Sequence, residues 1–282
     1  MQLVDSQIHV WGADTPERPW PARGTHAHRD PPWGADEVLS RMDEAGVDAA
    51  ILVPPSWEGD RNDLALAAAR AHPNRFAVMG RLDPDAPGAR EAVARWREQP
   101  GMVGLRFIFH TELLRKPFLD GRYDWVWAAA EEAGVPVMML LHHAYLDRLD
   151  VIAGRHPKLR IAVDHLGLVS GEKDDHAFRG LDKLLALARH DNVAAKASAL
   201  PCYTADTYPF RALHPYVRRV TDAFGAQRVF WGTDLTRLPC TYEQGITMWD
   251  EMPWLSAGDR EWIMGRGVCE WLDWEPTRET RR

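Results

Sequence analysis

Short apolar runs alternate with amphipathic stretches along nearly the whole chain, and few folds accommodate that pattern. The apolar runs cover residues 2–9, 49–53, 76–80, 103–107, 135–141, 160–163, 193–196 and 228–231. Between and after them, apolar residues recur at three- and four-residue spacing over 35–44, 64–72, 89–99, 125–133, 146–155, 178–190, 210–223 and 242–252. Strand and helix in strict alternation require crossover connections, which leave neighbouring strands parallel. Eight such units are the count of a (β/α)₈ TIM barrel, so the expected fold class is α/β with one barrel over residues 1–274. A chain of 282 residues with 45% hydrophobic residues has enough apolar mass for that core. Punctuation agrees with the boundaries: Gly46 and Gly134 stand where helices should end, and Pro73 and Pro157 stop others. Residues 12–33 are rich in Pro, Arg and His without periodicity, and are expected to form an ordered loop over the barrel mouth. A frayed tail is expected over 275–282.

Barrel enzymes place their chemistry at the carboxyl ends of the strands. Here the first strand ends in Asp5-Ser6-Gln7-Ile8-His9-Val10-Trp11, and later ones end in Asp164-His165, Lys196-Ala197-Ser198 and Gly232-Thr233-Asp234. Gln7 and His9 are two apart, so both point to one face, the barrel interior. Polar groups buried there must hydrogen-bond or hold a ligand. His165 suits donation to a substrate carbonyl or developing oxyanion. Arg106 ends the fourth strand, where a guanidinium can grip a carboxylate or lactone oxygen, and Trp11 stands where it would line an apolar pocket. Lys196, beside Ser198 at the end of the seventh strand, and Arg237 give the mouth positive charge within an otherwise acidic chain, which favours a small anionic substrate. His26 and His28, in the mouth loop, carry no assignment.

A net charge of −7 and no basic run interleaved with aromatics argue against nucleic-acid or anionic-membrane surfaces. Cys202, Cys240 and Cys269 are odd in number and far apart, which excludes a disulfide framework and fits a reducing compartment. The first strand starts at the N-terminus with no basic leader or long apolar segment, so a cytoplasmic protein without membrane insertion is expected. Oligomeric state is left open, a homo-oligomer included.

Asp5-x-Gln7-x-His9 followed by Trp11 resembles a variant of the Asp-x-His-x-His signature of the amidohydrolase superfamily. The likeness is to the amidohydrolase-related branch of pyrone-dicarboxylate and sugar lactonases and aminocarboxymuconate-semialdehyde decarboxylase. It continues in Arg81-Leu82-Asp83-Pro84, Gly104-Leu105-Arg106, Asp164-His165-Leu166-Gly167, Lys196-Ala197-Ser198 and Gly232-Thr233-Asp234, in order and over essentially the full chain. The resemblance implies that Asp234 is the general base. It also implies a metal set of His9, His142 (or its neighbour His143) and Asp234, with Gln7 replacing one histidine ligand. The branch contains members that work without metal, so the cofactor is either none or one divalent ion, Zn or Mn. A site short of one imidazole suits a labile acyl bond better than an amide. The implied activity is therefore opening of a lactone of a small carboxylated or polyhydroxy compound. The catalytic set is Asp234, His165 and His9, and the substrate-binding set is Arg106, Gln7, Lys196, Arg237, His142 and Trp11. The alternatives are a metal-dependent non-oxidative decarboxylase and a weakened barrel that only binds a ligand.

Overall fold

A computed structural model describes residues 1–21 and 26–277. Its eight strands are β1 (Val4–Ile8), β2 (Ala49–Leu52), β3 (Phe76–Gly80), β4 (Met102–Ile108), β5 (Val137–Leu140), β6 (Ile161–Val163), β7 (Val193–Ser198) and β8 (Val229–Gly232). They follow one another round the sheet in chain order, each parallel to the next. The helices are α1 (Ala35–Ala45), α2 (Asp63–Ala71), α3 (Ala89–Ala94), α4 (Glu112–Leu119), α5 (Asp124–Glu132) and α6 (Leu146–Arg155). In the second half come α7 (Asp174–Phe178), α8 (Leu181–Ala186), α9 (His214–Phe224), α10 (Tyr242–Thr247), α11 (Ala257–Glu261) and α12 (Gly267–Leu272). The chain is thus the expected (β/α)₈ barrel.

Helix limits depart from the periodic pattern where local chemistry intervenes. The helix expected over 178–190 is interrupted at Gly180 into α7 and α8, and the one expected over 210–223 starts only at His214, after a left-handed Phe210 (φ 58°). The stretch 242–252 leaves the helix after Thr247. Helix α4 had no pattern to reveal it: Phe118 is its one buried residue, and Leu113 is 69% exposed.

The seam between β8 and β1 is bridged by a backbone bond and by side-chain chemistry. Asp234 N–H donates to the Gln7 carbonyl at 2.9 Å. Beside that bond, Asp5 Oδ1 accepts the Gln7 and Thr233 amides, both at 2.9 Å, while Oδ2 accepts the Thr233 hydroxyl at 2.5 Å and Tyr242 of α10 at 2.9 Å. Glycine is needed at 232, because a Cβ there would lie 2.7 Å from Ser6 Oγ. A register shift between Asp5 and Ile8 resets the alternation of β1. Val4 therefore packs inside with Ile51, Met79, Met138 and Phe230, and Gln7 and His9 also face in. Above that apolar layer lies a polar one, and above the polar layer lies the mouth. The Pro276 carbonyl takes the Gln2 amide at 2.8 Å; residues 278–282 of the expected tail, and 22–25 of the expected mouth loop, lie outside the described residues. Among the described residues no helix is long and apolar enough to cross a membrane.

Candidate active site

A cavity of ≈ 380 Å³ opens at the carboxyl ends of the strands, lined by His9, His28, Arg106, His142, His165 and Asp234 among others. Asp234 follows β8 in a left-handed conformation (φ 52°, ψ 49°) and is 1% exposed. Its Oδ2 accepts Arg237 Nη1 at 3.1 Å and lies 3.7 Å from His165 Nε2. Its Oδ1 is buried without a hydrogen-bond donor and faces His9 Nε2 at 3.2 Å. Burial alone would raise the Asp234 carboxyl, but His9 and Arg237 pull the other way and hold it well below the usual carboxylate range. The base is ionised at neutral pH. Arg237→Met is expected to move the acid limb of the kcat/KM profile to higher pH, because one of the charges holding Asp234 down is gone. A limb that stays put or moves lower would contradict this.

His9 Nδ1 lies 2.5 Å from the carbonyl of Val53, just past β2. A carbonyl only accepts, so Nδ1 carries the proton in the neutral ring and Nε2 turns a lone pair toward Asp234 Oδ1. A lone pair and a carboxylate oxygen do not face each other unaided at that distance. The Gln7 amide Nε2, 3.5 Å from the same nitrogen, can donate to that lone pair, and between His9 Nε2 and the carboxylate oxygen a second ring proton or a metal cation fits.

His165 and Leu166 are consecutive left-handed residues (φ 51° and 54°), an arrangement costing of order 1–3 kcal/mol per residue. Ser198, at the end of β7, holds the turn: its Oγ accepts His165 N–H at 3.3 Å and lies 2.8 Å from His165 Nδ1. Burial pushes the His165 imidazole down to about 3, so it is neutral at pH 7.

Beneath the cavity, the polar layer links four strands. Asp164 Oδ2 accepts Arg106 Nε at 3.0 Å, and its Oδ1 lies 2.8 Å from Lys196 Nζ. Lys196, fully buried, also donates to Gln7 Oε1 at 2.5 Å. Burial would raise Asp164, yet Lys196 and Arg106 overrule it and bring it to about 2.

Of the residues singled out from sequence, His9, His165, Asp234, Arg106, Arg237 and His142 line the cavity. Gln7 and Lys196 do not; they engage each other below it. Trp11 stands behind, edge-on to Trp57 at 5.3 Å between centroids, and Trp57 itself lines the cavity. His142 and His143 part company: His142 lines the cavity, while His143 packs against Gly180. Sequence reasoning passed over His28, His110 and Trp57. His28 reaches within 3.9 Å of Asp234 Oδ1, and His110 follows β4 beside Arg106; burial pushes each down to about 4, leaving neutral rings. The His26-Ala27-His28 pair in a segment without periodicity was the available signal.

The donor set fits a divalent cation. Ligand atoms of His9, His28 and Asp234 all lie within 4.8 Å of one another, and Asp234 Oδ1 lacks a protein donor. The second nitrogen of His9 is anchored on a carbonyl, as ring nitrogens of metal-binding histidines commonly are. Three protein donors with an open position suit a catalytic ion. His142, four strands from β1 at the end of β5, lies outside that group.

The family model described as Amidohydrolase matches residues 4–266, and the chain belongs to that family. It is similar to the L-fucono-1,5-lactonase of Burkholderia ambifaria, 27% identical over 247 residues, covering 82% of this chain and 79% of that one. Two solved structures share the fold. One is a probable 2-pyrone-4,6-dicarboxylic acid hydrolase from Acinetobacter baumannii with citric acid bound (TM-score 0.80, 18% identity, 97% of this chain and 100% of that one). The other is an amidohydrolase from Burkholderia multivorans with bound zinc (TM-score 0.79, 21% identity, 98% and 100%).

Proposed function

We propose that this protein is a lactonase that opens the ring of a small polyhydroxy or carboxylated lactone. One observation carries the reading: an ionised, buried carboxylate, Asp234, shares the mouth cavity with the neutral His165 and with Arg106. Asp234 takes a proton from water as that water attacks the lactone carbonyl. The growing oxyanion meets the His165 ring N–H and the η N–H groups of Arg106 that Asp164 does not use. The ring C–O bond then breaks, and the proton on Asp234 passes to the leaving alkoxide. A divalent ion at the His9–Asp234 corner would add Lewis-acid polarisation of the carbonyl. The kinship with an L-fucono-1,5-lactonase supports the acyl chemistry, although that relative's substrate is its own.

Charge in the cavity leans toward hydroxyl-rich substrates. Arg106 and Arg237 are each already paired with a carboxylate, and His28, His110 and His165 are neutral donor–acceptor rings. Such rings suit hydroxyl groups better than a second carboxylate. The protein is proposed to act in the cytoplasm, where its cysteines, all free, stay reduced.

A pH-stat assay on a panel of aldono-1,5-lactones, aldono-1,4-lactones and pyrone carboxylates tests the reading. Each ring opening near pH 7.5 releases one proton, and the expected turnover on the best aldonolactone is roughly 1–1000 s⁻¹. Proton release no faster than the uncatalysed rate on every lactone, with carbon dioxide evolved from a hydroxybenzoate instead, would replace the lactonase by the decarboxylase.

A further inference from the structure

The mouth loop contributes a ring to the centre of the site. Gly12 N–H and Arg18 Nε both bond Glu58 Oε1, at 2.9 and 2.7 Å, fixing the loop's beginning. Trp11 N–H donates to the Trp33 carbonyl at 3.0 Å, fixing its end. Between these anchors His28 drops inward, its Nδ1 2.8 Å from Thr236 Oγ1, two residues past Asp234. Trp57 clamps it edge-on at 4.7 Å and clamps His9 the same way at 5.7 Å.

Gln7 cannot complete a metal site beside His9. Its amide oxygen, the one atom able to bind an ion, is taken by the Lys196 ammonium at 2.5 Å. The barrel wall therefore offers two donors at this corner, His9 Nε2 and Asp234 Oδ1. Arg237 bonds the other oxygen, Oδ2, so Oδ1 stays open to a positive group.

We propose that His28 is the third donor of a divalent-cation site with His9 and Asp234, so that the ion ties the mouth loop to the barrel. Two imidazoles and one carboxylate, with a position left open to the cavity, match zinc or manganese. An ion bridging loop and wall makes order in the loop depend on metal. In the ion's absence His28 is held by Thr236 and by edge-on ring contacts with Trp57 and His9, contacts of modest strength. The proposal does not depend on the lactonase reading, since it concerns the resting protein.

The test uses the full chain stripped with a chelator and titrated with Zn²⁺ against a chromogenic competitor, no substrate present. Wild type should take up one equivalent. His28→Ala and His28→Gln should each weaken the zinc Kd by about 100-fold or more, while His142→Ala leaves it unchanged; thermal melts of metal-free protein show that each variant folds. Zinc should slow hydrogen exchange over residues 26–33 in wild type and not in either His28 variant. Wild-type zinc affinity in the His28 variants, or equal weakening by His142→Ala, would overturn the proposal. Exchange in the loop that ignores zinc would overturn the coupling.

Discussion

Asp234→Asn is expected to lower kcat on an aldonolactone by about 10³–10⁴-fold while leaving the affinity for intact lactone within a few-fold. The substitution preserves size, and its amide oxygen still accepts from Arg237, whose Nη1 lies 3.1 Å from Oδ2 in the native protein. What is lost is the ability to take a proton from water. No other carboxylate replaces it: Asp164 is fully buried beneath the cavity and ion-paired with Arg106 and Lys196, and Glu58 is tied to Gly12 and Arg18. Single-turnover rates and the Kd of a slowly hydrolysed lactone, measured on chelator-treated protein, separate the two effects. Turnover within ten-fold of wild type would remove Asp234 from the chemistry.

Asp164→Ala is expected to cause the largest loss of stability of any single change near the site, about 3–5 kcal/mol, because it leaves two buried cations without their counter-ion. Lys196 is 0% exposed and Arg106 3%. Replacing the pair together, Asp164→Leu with Lys196→Met, should recover part of the loss, since an apolar pair needs no compensation and Arg106 still reaches the cavity. Urea midpoints read both effects, and a double variant less stable than Asp164→Ala would contradict the account. The pH dependence carries a definite sign. Asp164 is held at about 2 against an ordinary value of 3.8, so its contribution is present above 3.8 and is lost as pH falls toward 2. Asp5 works in the opposite direction. Burial outweighs its four hydrogen bonds and raises it to about 6, so its contribution is full below 3.8 and is lost as pH rises through 6. The stability curve of Asp164→Ala should therefore have a shallower acid limb than wild type near pH 2–4, the part due to Asp234 remaining, while keeping the decline near pH 6.

Strand order made the fold readable. In a barrel the elements follow chain order, so locating the apolar runs also located the strands in space, and β3 falls where periodicity placed it. The same rule let polar strand ends be assigned to one mouth before any geometry was known. His9, His165 and Asp234 arrive there from β1, β6 and β8, and Arg106 from β4. Two things were hidden. The partner of Gln7 lies 189 residues away on β7, and nothing local distinguishes an amide that meets substrate from one that meets a lysine. His28 sits in a segment without periodicity, where sequence gives residue types but no direction. Tautomers were also out of reach, because His9 takes its orientation from a backbone carbonyl just past the neighbouring strand.

A crystal structure of Asp234→Asn soaked with an aldono-1,5-lactone tests the central claim most directly. The account predicts an intact ring in the mouth cavity, its carbonyl oxygen within hydrogen-bond reach of His165 Nε2 or Arg106. A water held by residue 234 should stand about 3–3.5 Å from the carbonyl carbon. A lactone bound with its carbonyl turned away from residue 234, or seated outside this cavity, would contradict it.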